Sequence, residues 1–310
     1  MKTLTRLLTI ALGFTGALVG GAANAVPYTF TTIDYPGGSA TDLFSINNAG
    51  VMAGGHSEQF GFIRDINGQF TEINVPGSTF TEINKINDNG IASGDFFDTD
   101  GYSHAFQRAP DGTINVLPDI ATNPALFWAF NTSSSGTVVG VWSQDFTFAT
   151  WRAYSYEGGV YSDYIYPGAL RTQFNDINDA GQIVGRFSDA SGVFHGLLID
   201  GTTTLVIDVP GADSTHAFAL NNNGDIAGYY TKGDDVHGFV LDDGIFTTID
   251  VPSETGTRVY DINDKGQLVG TSDERGFLAN PVPEPQSALL FGLALVALVG
   301  ASRARRHIQP

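Results

Sequence analysis

From residue 28 to residue 280 the chain repeats one arrangement of apolar and polar positions. Short runs rich in Phe, Ile, Val, Thr and Tyr are separated by Gly, Asn, Asp or Pro, a pattern that predicts brief β-strands joined by tight turns. In one unit the predicted strands are Phe80 to Ile86, Ile91 to Phe96, Ser103 to Arg108 and Thr113 to Val116. The best-preserved stretch is a turn and the strand after it, as in Asp176-Ile177-Asn178-Asp179-Ala180-Gly181-Gln182-Ile183-Val184-Gly185.

Two glycines four residues apart mark that stretch six times: Gly50 and Gly54, Gly90 and Gly94, Gly136 and Gly140, Gly181 and Gly185, Gly224 and Gly228, Gly266 and Gly270. Successive copies lie 40 to 46 residues apart, the period of a four-stranded propeller blade or a two-helix repeat. Asn-Asp-x-Gly is hairpin chemistry, because Gly and Asn accept positive φ at little cost, so the first glycine is read as a turn residue. The second falls inside a predicted strand, where a missing side chain implies close approach by a neighbouring sheet. A Pro follows each fourth strand, at 36, 76, 118, 167, 210 and 252, and marks the exit to the next unit.

A single four-stranded unit buries too little apolar surface to fold alone, so the units must stack. The ends of the array say how. It opens with an orphan fourth strand, Tyr28 to Asp34, and closes with a unit of only three, Thr257 to Ile262, Gln267 to Ser272 and Gly276 to Leu278. Pairing first with last closes a ring and removes the open edges, which predicts an all-β, six-bladed β-propeller. An open β-solenoid is the runner-up, and it leaves the complementary ends unexplained.

Composition narrows the partners. Between residues 26 and 280 there are 10 Lys and Arg against 32 Asp and Glu, a net charge of −22 that disfavours nucleic acid. The chain has no Cys, which removes disulfides and thiolate chemistry together. Gly is 38 of 310 residues, well above the usual ~7%, as a turn-rich array requires.

Both termini read as processing segments. Lys2 and Arg6, an apolar stretch from Leu7 to Gly20, and Ala23-Asn24-Ala25 form a secretory signal peptide over 1–25. The last segment, 281–310, has a proline linker, a transmembrane helix over 286–302 without a charge, and a basic tail with Arg303, Arg305 and Arg306. With Val282, Pro283, Glu284 and Pro285 ahead of the helix, this tail resembles the PEP-CTERM sorting signal of Gram-negative bacteria. The resemblance implies processing by an exosortase and release to the cell surface or to secreted polysaccharide. The repeats themselves resemble the HAF family of extracellular proteins, through His104-Ala105-Phe106 and its variants His195-Gly196-Leu197 and His237-Gly238-Phe239. That family implies an exported repeat protein and supplies no defined activity.

Candidate chemistry is sparse. Asp176-x-Asn178 and Asp261-x-Asn263 begin like a calcium loop, but Ala180 and Lys265 stand at the fifth position and Lys85 occupies the first position of the second copy. Asp98 and Asp100, ahead of Gly101, are a weak calcium candidate on a loop that reads equally as a hairpin. The three His fall on the same strand of different units, which places them apart. The third unit is the most divergent and holds all three Trp, at 128, 142 and 151, either as a specialised surface or as packing between blades. No catalytic residue and no cofactor site is predicted. Three functions stay open: an exported, non-enzymatic surface or matrix scaffold that binds exopolysaccharide through blade-edge loops, a secreted glycan- or lactone-active hydrolase acting at a channel mouth, and a self-assembling adhesion module. The first two differ in one observable: an enzyme needs several acidic and polar groups converging at one mouth, where the six blades are not interchangeable, whereas a binding scaffold is expected to show near-equivalent positions around the ring.

Overall fold

The computed structural model describes residues 28–282 apart from 39, 57–59 and 148. The expected signal peptide at 1–25, the expected sorting residues from Pro283 onward, the expected helix at 286–302 and the basic residues after it lie outside the described residues. The chain begins with β1 (Tyr28–Ile33) and then builds five complete four-stranded antiparallel sheets. Blade 1 is β2 (Thr41–Ile46), β3 (Met52–His56), β4 (Gly61–Arg64) and β5 (Phe70–Ile73). Blade 2 is β6 (Phe80–Ile86), β7 (Ala92–Phe97), β8 (Ser103–Arg108) and β9 (Ile114–Val116). Blade 3 is β10 (Leu126–Thr132), β11 (Val138–Ser143), β12 (Arg152–Glu157) and β13 (Val160–Tyr164). Blade 4 is β14 (Arg171–Ile177), β15 (Ile183–Ser188), β16 (Phe194–Asp200) and β17 (Thr203–Ile207). Blade 5 is β18 (Ser214–Leu220), β19 (Ile226–Lys232), β20 (Asp235–Asp242) and β21 (Ile245–Ile249).

Blade 6 has only three strands of its own, β22 (Arg258–Ile262), β23 (Leu268–Ser272) and β24 (Arg275–Pro281), and β1 completes it by pairing with β24 from Tyr28↔Pro281 to Ile33↔Gly276. Each inner strand touches the inner strands of the blades on both sides, and β22 touches β2, so the ring closes as the repeat count predicts. Apolar side chains fill the spaces between blades; Leu43, Phe62, Ile83, Phe106, Leu197 and Phe239 are fully buried there.

The turn glycines behave as predicted, with φ from 72° at Gly266 to 95° at Gly136. The second set behaves differently from the prediction. A Cβ at Gly54, Gly94, Gly140, Gly185, Gly228 or Gly270 would lie 1.9–2.0 Å from a carbonyl oxygen of the inner strand of its own blade, such as Gln173 O for Gly185. The close neighbour is therefore within the sheet, not in the adjacent one. The cause is a β-bulge in every inner strand, where the register slips between Leu43 and Ser45, Ile83 and Lys85, Ala129 and Asn131, Phe174 and Asp176, Ala217 and Ala219, and Val259 and Asp261. The bulge presses the inner strand against the second, and only glycine leaves room for it.

The His of the repeat tripeptide is a latch within its blade. His195 stacks on Phe187 with centroids 5.1 Å apart and hydrogen-bonds Asp208 at 3.0 Å; His237 does the same with Tyr230 and Asp250, and His104 with Phe96 and Asp119. Arg275 takes the role in blade 6 and pairs with Asp34 at 2.7 Å, so the latch there joins the two ends of the chain.

Candidate functional site: the two mouths of the axial channel

Because every inner strand carries the same bulge, equivalent residues form rings at successive levels along the axis. The ring at the bulge is Ser45, Lys85, Asn131, Asp176, Ala219 and Asp261. Lys85 of blade 2 bonds Asp176 of blade 4 at 2.9 Å and also Asp261 of blade 6, contacts that only a side chain crossing the axis can make. All three side chains are about 95% buried. Burial works against the Lys85 ammonium, yet the two carboxylates outweigh it and hold its pKa above the usual value. Asp261 is pushed up, by burial first and by Asp176, with Lys85 opposing. Backbone and side-chain donors saturate the acids: Leu220 N donates to Asp176 at 2.9 Å, and Ile46 N and Ser45 Oγ to Asp261 at 2.8 Å. This triad plugs the channel and divides it into two mouths.

The mouth on the side of the signature turns is a cavity of about 80 Å³ lined by all six blades. Its blades are nearly interchangeable. Asn47, Asn87, Asn178, Asn221 and Asn263 each donate Nδ2 to a backbone carbonyl of the next blade, at 2.8–3.3 Å, while Oδ1 accepts N–H groups of their own turn, as Ala49 N and Val51 N do for Asn47. Ser133 replaces Asn in blade 3. The Asn of the repeat is thus a strut between blades, and this mouth is built for closure.

The mouth beyond the plug is different in kind. Three positions earlier on the inner strands, and eight before each turn glycine, stand Asp42, Glu82, Trp128, Gln173, His216 and Arg258. No two are alike. Between them and the plug the extra residues of the bulges are Phe44, Asn84, Phe130, Asn175, Phe218 and Tyr260, and the residue after the second glycine adds Asp95, Arg186 and Tyr229 from the neighbouring strands. Phe44 and Phe218 each lie 5.3 Å from Tyr260, and His216 stacks on Tyr229 at 4.5 Å, forming an aromatic arc from blade 1 back to blade 5. The Arg186 guanidinium sits 5.0 and 5.1 Å from the Phe194 and Phe218 rings and 5.8 Å from Trp151.

Asp42, Glu82 and Asp95 belong to blades 1 and 2, Arg186, His216 and Arg258 to blades 4 to 6, and among the described residues no ion pair joins the two sets. Asp42 is raised, by burial first, against a hydrogen bond from Thr271 and the charge of Arg258 on the adjacent blade. Burial and then the nearby Asp42 push Glu82 up to about 7. Asp95, fully buried, is raised well above the carboxylate range by burial and by Glu82, against a hydrogen bond from Asn84. His216 is driven down to about 3 by burial, Arg186 and Arg258, so it is neutral, and its Nδ1 accepts from Arg186 Nη1 at 2.9 Å. Asp95 Oδ2, Arg186 Nε and Trp128 Nε1 are buried without a partner in the protein. Such unsatisfied groups and shifted acids cluster where a ligand is meant to complete them.

Glu82 gives a direct check. Its folded pKa lies above its ordinary 4.5, so the folded state holds the proton more tightly, and ionisation lowers stability above about pH 7, a penalty withdrawn as pH falls toward 4.5. Glu82→Gln is expected to melt higher than the wild type at pH 8, by on the order of 1–3 kcal/mol or a few degrees, and equally at pH 5. His216 affects both proteins alike. Melting curves from pH 5 to 8 decide it, and a variant that melts lower at pH 8 removes the burial penalty from the picture.

The residues singled out in the sequence lie elsewhere or take other roles. Asp98 Oδ1 accepts N–H from Asp100 and Tyr102, both at 2.9 Å, and Oδ2 contacts His104, so its carboxylate serves a hairpin and a latch, while Asp100 is exposed. Asp176 and Asp261 are the plug, not calcium ligands at a turn. Of the three Trp, Trp128 stands in the heterogeneous mouth and Trp151 flanks Arg186, whereas Trp142 donates to Asp163 at 2.9 Å outside it. Among the described residues no cluster of three or more His, Asp or Glu is placed to hold a metal ion. The sequence reading does not reach the mouth residues, although aligning the units on the turn glycine exposes two columns, eight residues before it and five after it, that hold a different residue in every copy.

No protein-family model matches the chain, and a search of curated proteins finds no match either. Solved structures do match. A TolB-like protein from Agrobacterium tumefaciens superposes with a TM-score of 0.55 at 14% identity, covering 83% of this chain and 91% of its own. A gluconolactonase-like protein gives 0.51 at 14% identity over 84% and 93%, and streptogramin B lyase 0.50 at 12% over 82% and 97%. At such identities the likeness establishes the propeller fold alone.

Proposed function

We propose that the protein is an exported cell-surface or extracellular-matrix scaffold that binds exopolysaccharide at the heterogeneous mouth, not at the blade-edge loops. One contrast carries this reading: at the Asn-ring mouth five of six blades agree, and at the other the six equivalent positions hold six different side chains. The Asn struts ask the same of nearly every blade, so six different side chains at the other mouth fit a ligand that is not six-fold symmetric, and they depart from the near-equivalent positions expected of a scaffold. Half-buried Phe44, Phe218 and Tyr260 supply flat apolar faces, and Gln173, Trp128 and Glu82 supply polar edges, the mixture that a sugar ring needs. In the same reading the signal peptide exports the chain, and an exosortase-type protease recognises Val282 to Pro285 before release from the membrane helix. The intact mass of the mature protein tests that processing: cleavage near Pro283, lost when Glu284 and Pro285 are replaced.

Binding of the purified mature protein to a polysaccharide panel, with and without calcium, tests the function. Saturable binding that Trp128→Ala abolishes is expected. No binding to any glycan sinks the reading. A hydrolase at the same mouth is the second reading, favoured by the convergence of acidic and polar groups where the blades are not interchangeable and by Glu82, whose proton is held to about pH 7 beside a second buried acid, the state of a general acid. Release of reducing ends or opening of a lactone, lost in Glu82→Gln while binding persists, decides for it.

A further inference from the structure

We infer that Arg186 and Arg258 form a receptor for the carboxylate of an acidic sugar, so that the ligand of this mouth is a hexuronate-bearing polysaccharide. The inference rests on the glycan-binding reading and narrows it. Both guanidiniums are half-buried in a domain that carries far more acid than base, yet among the described residues no carboxylate pairs with either. Arg258 makes one long bond to its own strand's approach, Nη1 to Gly256 O at 3.4 Å. Arg186 donates Nη1 to neutral His216 and Nη2 to Gln173 at 3.2 Å, and its Nε is left without a partner. Phe194 and Phe218 lie against this guanidinium, and Nη1 and Nη2 each keep one further N–H, the kind of donor pair that a planar carboxylate matches.

The acids of the mouth cancel this charge only in part. Asp42 feels the Arg258 charge from the adjacent blade, whereas burial drives Glu82 and the fully enclosed Asp95, both on blade 2, toward the neutral form, in which they do not repel an anion. His216, held neutral, adds acceptor capacity and no charge. An otherwise acidic molecule thus keeps a small cationic wall over an aromatic floor, with Arg258 5.6 Å from the Tyr229 ring and no carboxylate bonded to either arginine among the described residues.

The test is titration calorimetry of the whole mature protein with three oligosaccharides of equal length: oligogalacturonate, its neutral galactose counterpart and a sulfated galactose counterpart. The expected result is oligogalacturonate binding at least about tenfold tighter than the neutral chain, weakened about tenfold to a hundredfold in Arg186→Gln and in Arg258→Gln. Salt supplies a readout free of any variant, since added NaCl weakens binding of the acidic chain and leaves the neutral one unchanged. Equal affinity for acidic and neutral chains, unmoved by salt or by Arg258→Gln, overturns the carboxylate receptor and leaves the glycan scaffold standing. Preference for the sulfated chain also overturns it, in favour of a sulfate site. If none of the three binds and the wider panel is flat, both readings fall together.

Discussion

Replacing Lys85 by methionine is expected to destabilise the domain by about 3–5 kcal/mol at pH 7, because the variant strands two buried carboxylates that, among the described residues, have no other cation bonded to them. Each carboxylate keeps its backbone donors, from Leu220 and Ile177 for Asp176 and from Ile46 and Ile262 for Asp261, but hydrogen bonds alone do not replace an ammonium in a dry site. For a domain of this size the loss corresponds to a fall in Tm on the order of 10 °C. Its pH dependence follows from the sign of the shift. Asp261 is already raised by burial with Lys85 opposing, so losing Lys85 raises it further, and the variant's deficit is greatest above that raised pKa and shrinks as acid protonates it. Adding Asp176→Asn and Asp261→Asn to Lys85→Met is expected to recover most of the loss at pH 7, since neutral amides leave no charge to compensate. Thermal melts of the single and triple variants at pH 5 and pH 7 decide the matter. A single variant that melts within 2 °C of the wild type at pH 7 shows that the triad does not hold the axis.

The same three residues show how far the sequence could be read. Asp176 and Asp261 stand out as the first positions of calcium-like turns, and Lys85 as the residue that spoils the pattern in the second copy. Each is correctly located by the repeat, but a one-dimensional register cannot reveal that blades 2, 4 and 6 converge at a point. The fold was legible because it is written in local chemistry: Asn-x-x-Gly hairpins close antiparallel pairs wherever they occur, and complementary chain ends leave one way to satisfy the last sheet. The partner of the second glycine was misplaced for a physical reason. A bulge leaves no residue-type signature beyond the glycine opposite it, and the glycine points as readily to a neighbouring blade as to its own inner strand.

The bulge is also what hid the site. It inserts one residue into each inner strand, which lets Ser45, Lys85 and their equivalents meet at the plug while the extra residues, Phe44 and Tyr260 among them, furnish the floor of the opposite mouth. Acidic residues are so common in this chain that Asp42, Glu82 and Asp95 carry no signal by type. They become distinctive through burial: Asp95 is fully enclosed and Glu82 is raised to about 7, and burial is a property of the assembled ring. What the sequence does contain is variance, a column eight residues before each turn glycine that reads Asp, Glu, Trp, Gln, His and Arg, directly after a column that is Thr in five of the six units and directly before one that is always apolar. In an array whose blades must all satisfy the same neighbours, variance is the informative quantity and agreement describes the scaffold.

Removal of residues 26–33 is expected to cost the mature domain its cooperative fold. Blades 1 to 5 each obtain their fourth strand from a hairpin of their own, but blade 6 depends on β1, which reaches it from the other end of the chain. Without β1 the whole of β24 is an open edge, Phe277 loses the edge-on contact with Phe30 at 5.9 Å, and buried Ile33 is gone from the core between blades 6 and 1. Burial of Ile33, Phe30 and Tyr28 alone contributes about 4–6 kcal/mol, comparable with the net stability of an ordinary domain. The truncated protein is therefore expected to lose its sharp thermal transition and to aggregate through β24. A synthetic peptide spanning residues 26–35, added in excess, should restore the transition by mass action, with a Tm that climbs with peptide concentration. That second arm separates closure from mere damage, because a peptide cannot rescue a chain that has lost its fold for another reason. A truncated protein that melts as the intact one does would place the N-terminal strand outside the ring, and with it would go the axis on which both mouths depend.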